Sequence, residues 1–139
     1  MNKKFVAGLL SLGVLALIAG SAWFLARGES KPIAATVVSQ NGLHWHAELS
    51  VREGGVEVPI PADLGLGAVH NPIHTHDEPG IIHMEFSGRV TEDDLRISNF
   101  FRTWGRELPA TAVMMVNGEP KSELGGYIMR DGDKIKLSY

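Results

Sequence analysis

Leu43-His44-Trp45-His46-Ala47-Glu48-Leu49-Ser50-Val51-Arg52 alternates apolar and polar side chains without a break. Extended backbone sends successive side chains to opposite faces, so Leu43, Trp45, Ala47, Leu49 and Val51 share one face and His44, His46, Glu48, Ser50 and Arg52 the other. This pattern predicts a strand with one face on a core and the other open. Just downstream, Glu53-Gly54-Gly55 supplies a turn, and Val56, Val58 and Ile60 continue the alternation as a returning strand until Pro61 ends it.

Outward from this pair, Ala62 to Pro79 is rich in glycine, proline and histidine. It is too long for an idle connection in a compact domain and invites a functional reading. Gly80 to Phe86 then reads as a short strand, with Ile82, Met84 and Phe86 on one face and Ile81, His83 and Glu85 on the other. Thr91 followed by Glu92, Asp93 and Asp94 has the form of a helix start, because the positive end of the helix dipole favours acidic residues. The helix is expected to run to Trp104, stop at Gly105 and bury Ile97, Phe100, Phe101 and Trp104. Ala112 to Val116 before Asn117-Gly118, and Ile135, Leu137 and Tyr139 after Asp131-Gly132, complete the strands. The expectation is an α+β fold, one helix lying across a mixed four- to five-stranded sheet, an arrangement that resembles the β-grasp (ubiquitin-like) architecture.

The other end of the chain has a different character. Phe5 to Ala26 contains no ionisable side chain, and as a helix rising about 1.5 Å per residue it would span roughly the 30 Å of a bilayer core. Lys3 and Lys4 precede it and are expected to stay in the cytoplasm, which predicts a single-pass membrane protein with its C-terminal domain outside. Ala19 and Ser21 would suit a cleaved signal peptide, but Trp23, Phe24 and Leu25 extend the apolar run past them, which favours a retained anchor. The expected organisation is an anchor over residues 1–27, a linker over 28–40 and a histidine-rich domain over 41–139.

Without cysteine the chain has no disulfide, thiolate site or acylated anchor, which leaves imidazole and carboxylate as its strong ligands. From Ile33 onward, nine basic and fifteen acidic side chains leave a charge of about −6, against −3 for the whole chain. Phosphate backbones are repelled by such a domain, so nucleic acid is not an expected partner.

All six histidines lie between positions 44 and 83. In a strand, residues two apart point the same way, so His44 and His46, and likewise His83 and Glu85, can bracket one cation. Both pairs fall on the polar faces of their strands. His74 and His76 belong to the loop HTHDEPG, framed by Pro72 and Pro79, which can add these two and Asp77 if the Gly80–Phe86 strand pairs beside the first. The expected ligands are therefore His44, His46, His74, His76, His83, Glu85 and Asp77. Nitrogen and oxygen donors without sulfur suit a divalent transition metal, copper or zinc first, with nickel, iron or manganese also compatible. Glu48 shares the imidazole face and is a further ligand or supporting candidate, His70 stands alone, and Met84 points away by strand parity. The bland alternative is a set of solvated, pH-sensitive histidines, some hydrogen-bonded to loop backbone.

Taken together, HWHAEL, HTHDEPGIIHMEF, FFRTWG and DGDKIKLSY resemble a set of small membrane-anchored or exported prokaryotic proteins, over nearly all of Leu43 to Tyr139. That resemblance implies the β-grasp-like topology and a metal site, but no reaction. The HTHDE spacing is also similar to the first cupin motif, yet Gly80 stands where the cupin glutamate belongs and a helix interrupts the domain. Three roles follow: a module that captures, senses or transfers a metal; a metalloenzyme with an open coordination position and Glu85 or Asp77 as general base; or a pH-responsive domain that contacts a membrane-protein partner. The first is preferred, and no catalytic residue is assigned.

Overall fold

A computed structural model of the chain describes residues 35–76 and 79–139. Its strands are β1 (Val37–Ser39), β2 (Leu43–Glu53), β3 (Val56–Val58), β4 (Ile73–His74), β5 (Ile81–Phe86) and β6 (Val90–Thr91), followed by the helix α1 (Ile97–Trp104) and then β7 (Val113–Val116), β8 (Glu119–Lys121) and β9 (Asp133–Ser138). One-turn 3-10 helices occupy Glu92–Leu95 and Leu124–Gly126. Among the described residues no helix is long and apolar enough to cross a membrane. The anchor expected over residues 1–27 lies outside the described residues.

The long alternating stretch is the centre of the fold. β2 runs eleven residues, about 36 Å at 3.3 Å per residue, which is enough to serve several partners. On one edge it pairs in parallel with β9 from Ala47 to Arg52. Its other edge is shared by β5, antiparallel opposite Leu43 to Glu48, and by β3 opposite Val51 to Glu53. The mixed sheet reads β4-β5-β2-β9-β7-β8, with β3 as its seventh strand, while β1 and β6 pair separately. The class is α+β with one α-helix among the described residues, and the sheet is larger than the four or five strands expected. The additions are β4 and β8, edge pieces of two and three residues, too short to display a two-residue period; the expected returning strand is β3, which ends at Val58.

The parity of β2 and β5 decides the two faces. Leu49, Val51, Ile82 and Met84 point to one side, where they join Ile135 and Leu137 of β9 and Met114 of β7 in a buried cluster with Ile97, Phe100 and Phe101 of α1. Trp104 is only half-buried; the Arg106 guanidinium lies 5.2 Å from its ring and reaches on to Glu53 at 2.9 Å.

The helix does not run unbroken from Thr91. Thr91 donates through its backbone N–H and its hydroxyl to Asp94, but the backbone turns extended at Arg96 before α1 begins. Pairing across space is the reason: Arg96 bridges Ile128, and the Ile97 N–H donates to the Tyr127 carbonyl. The helix then stops as expected at Gly105, in the left-handed conformation at φ 73°. Near the start of β9, the buried Asp133 carboxylate accepts from the Asn117 amide, the Tyr127 hydroxyl and the Arg130 N–H. Burial and this carboxylate together raise the Tyr127 pKa.

Candidate metal centre

Because β5 lies between β2 and β4, one row of the sheet reads His46, His83, His74 as direct cross-strand neighbours. The next row sets His44 opposite Glu85. All of these side chains stand on the face away from the helix, since their strand neighbours Ala47, Ile73, Ile82 and Met84 are buried on the other. Parity thus converts three separate sequence motifs into one patch.

The donor atoms are close. His44 Nε2 and His46 Nε2 are 3.2 Å apart, and His74 Nε2 and His76 Nε2 are 3.1 Å apart. Two imidazole nitrogens on one ion, each about 2.0–2.1 Å from it, stand roughly 2.9–3.4 Å apart for bond angles between 90° and 110°. Both pairs fall in that range. Glu85 Oε1 lies 3.1 Å from His44 Nε2, 3.8 Å from His83 Nδ1 and 4.0 Å from His74 Nε2. Among the described residues two groups of donors could hold a metal ion: His74, His76, His83 and Glu85 in one, His44, His46 and His83 in the other, each with its donor atoms within 4.8 Å of one another.

The His83 ring is the common member. Its plane is nearly perpendicular to those of His46 and His76, with centroids 4.6 and 4.5 Å away, and nearly parallel to that of His74 at 5.4 Å. Its Nδ1 is buried with no hydrogen-bond partner among the described residues. Burial lowers its pKa, the neighbouring His46, His76 and His74 lower it further, and Glu85 opposes them. At neutral pH the ring is therefore neutral, the form that ligates.

Supporting contacts fix the candidate ligands. His74, only 3% exposed, donates from Nδ1 to the Asn71 carbonyl at 3.0 Å, which leaves Nε2 with its lone pair toward His76. Such an outer hydrogen bond selects the tautomer of a ligating histidine. Asn71 is itself held: its Oδ1 accepts from the Ile73 N–H, and its amide donates to Thr103 on α1. Thr75 ties the loop down by donating to the Pro61 carbonyl and accepting from the Leu64 N–H. At the loop's end Gly80 adopts φ 83°, and a Cβ there would meet the Leu49 carbonyl oxygen at 2.7 Å. Glycine lets the chain come that close as it enters β5. On the far side Asp131 Oδ1 accepts from the His46 N–H at 2.9 Å, and the Gly132 N–H donates to the His46 carbonyl.

The structure thus brings His44, His46, His74, His76, His83 and Glu85 together. Asp77 lies outside the described residues. Glu48 is not in either group and faces Lys134 instead, at 3.9 Å, and the exposed His70 also stands apart. Sequence reasoning missed Asn71 and Asp131 as supports. Both sit in turn signals, Asn-Pro and Asp-Gly, whose residue types announce a turn but not the distant atom it serves.

No protein-family model, curated protein or solved structure matches this chain. What it can do must be read from the site itself.

Proposed function

We propose that this chain is a membrane-tethered, extracytoplasmic metal-binding domain that captures, senses or transfers a divalent transition metal. The observation that carries the reading is the pair of donor groups meeting at His83, whose buried Nδ1 has no partner among the described residues. A buried ring nitrogen without a hydrogen bond is costly, by about 1–3 kcal/mol, and coordination would remove that cost. An all-imidazole and carboxylate donor set supports copper or zinc over ions that demand oxygen cages.

Capture or transfer is favoured over catalysis because one donor group, His74, His76, His83 and Glu85, supplies four ligands from the protein, whereas a catalytic ion keeps a coordination position open. His44, His76 and Glu85 are exposed, so ions can enter and leave from solvent. The tether rests on the apolar run Phe5 to Ala26 and the outward orientation on Lys3 and Lys4. A β-grasp-like scaffold, shared with the HWH/HTHD/IHxE proteins that the chain resembles, is part of the same proposal. Its support is the parallel pairing of β2 with β9 at the centre of the sheet, with the helix between them in sequence.

The test is elemental analysis and titration of the full-length chain purified from membranes in detergent. Copper or zinc should co-purify in stoichiometric amount, and the stripped protein should rebind it with a large rise in melting temperature. A stripped protein that neither rebinds Cu(II) or Zn(II) nor shifts its melting temperature sinks the proposal.

A further inference from the structure

We propose that the site holds two divalent ions, one at His44 and His46 and one at His74 and His76, joined through the two ring nitrogens of His83. This rests on the metal-binding reading and extends it to a number and a connection. The donors form two groups whose shared member is His83, not one group of six. A single ion with bonds of about 2.0–2.2 Å cannot reach donors more than roughly 4.4 Å apart, and the six donors do not gather as one group within 4.8 Å of one another.

Sheet order supplies the geometry. β2 and β4 flank β5 on opposite sides, so the two pairs approach His83 from opposite neighbours, each about 4.8 Å away in strand spacing. Each pair already has the nitrogen separation of two ligands on one ion, 3.2 and 3.1 Å. An imidazole ring carries two nitrogens on different edges, and here one of them, Nδ1, is buried and unclaimed by any other group among the described residues. The carboxylate of Glu85 lies between the pairs, 3.1 Å from His44 Nε2 and 4.0 Å from His74 Nε2, and its charge offsets the repulsion between two cations held close together.

The first ion bonds to a lone pair of neutral His83 and displaces no ring proton. The second forms its bond to the remaining ring nitrogen, whose N–H bond breaks and whose proton passes to solvent, leaving the ring as imidazolate. No electron is transferred. Two Cu(II) ions across such a bridge couple magnetically, which isolated sites do not.

Titration of the stripped full-length chain with Cu(II) in detergent, read by bound copper, proton release and electron paramagnetic resonance, tests this directly. The wild type should bind two coppers; its signal should grow with the first equivalent and fall with the second, as an additional proton is released. The double variants His44→Ala/His46→Ala and His74→Ala/His76→Ala should each keep one copper with full signal. His83→Gln should abolish the coupling, and circular dichroism of each variant verifies that it is folded. Saturation at one copper, lost in both double variants, would overturn the two-ion site while leaving metal binding intact. Two coppers with full, uncoupled signal would overturn the bridge. No bound copper at all would remove this proposal together with the metal-binding reading beneath it.

Discussion

The two faces of β2 and β5 come from the same residues in alternation, yet they are finished by different means. On one side Leu49, Val51, Ile82 and Met84 are sealed by side chains of the helix and the other strands. On the other, His44, His46, His83 and Glu85 meet mainly one another and the imidazoles of the loop. Apolar packing is complete within the chain, because any neighbouring side chain of the right shape can satisfy a methyl group. Imidazole nitrogens are more demanding: a neutral ring has one donor and one acceptor, and five rings crowded together leave lone pairs that a cation would satisfy. The first face makes the fold and the second makes the site.

The sharpest way to break this contrast is to damage the sealed face. Phe100→Ala, at a fully buried position, should cost about 3–5 kcal/mol in urea unfolding of the full-length chain. A loss below 1 kcal/mol would mean that the helix is not the lid of the core.

On the open face the largest effect should come from the ion. Adding Zn(II) at a hundredfold excess over its dissociation constant should stabilise the folded chain by about 2.7 kcal/mol, read as a chelator-reversible rise in the unfolding midpoint. A midpoint indifferent to metal would place the two faces on an equal footing.

A smaller change sharpens the role of supporting contacts. Asp131→Ala removes the acceptor that holds the His46 N–H and should weaken metal binding about tenfold, or 1.4 kcal/mol, in competition titrations. Asp131→Asn keeps an oxygen acceptor and should restore most of it. Equal loss in both variants would point to the charge of Asp131 in place of its hydrogen bond.

Protons probe the same face more gently. The lowered His83 pKa means that, below the ordinary value of 6.5, the unfolded chain takes up a proton that the folded chain refuses. Metal-free stability should therefore be full above pH 6.5 and decline as the pH falls toward the lowered folded value. Urea midpoints between pH 7.5 and 5.5 measure this decline, and His83→Gln should flatten it. An unchanged slope in that variant would assign the effect to other groups.

The smallest effect is expected at Glu48, on the open face but outside both donor groups. Glu48→Gln should change stability by no more than about 0.5 kcal/mol, since its contact with Lys134 is exposed and long at 3.9 Å. Its metal affinity should match the wild type, and a tenfold loss would enlarge the site.

The sequence alone determined that β2 has a buried and an open face, that His44 and His46 share the open one, and that His83 and Glu85 do the same on β5. These are consequences of a two-residue period and need no partner. The stop at Gly105 was legible for a similar reason, since glycine accepts the left-handed conformation that ends a helix.

Only the tertiary structure decided what lies beside what. The pairing of His74 with His83 depends on the two-residue strand β4, whose existence rests on β5 as its partner. The break at Arg96 depends on Ile128, more than thirty residues away, and the support of His46 depends on Asp131. Local sequence fixes where a side chain points along its own backbone. Which lone pairs end up 3 Å apart is set by strand register and loop closure, which belong to the whole chain at once.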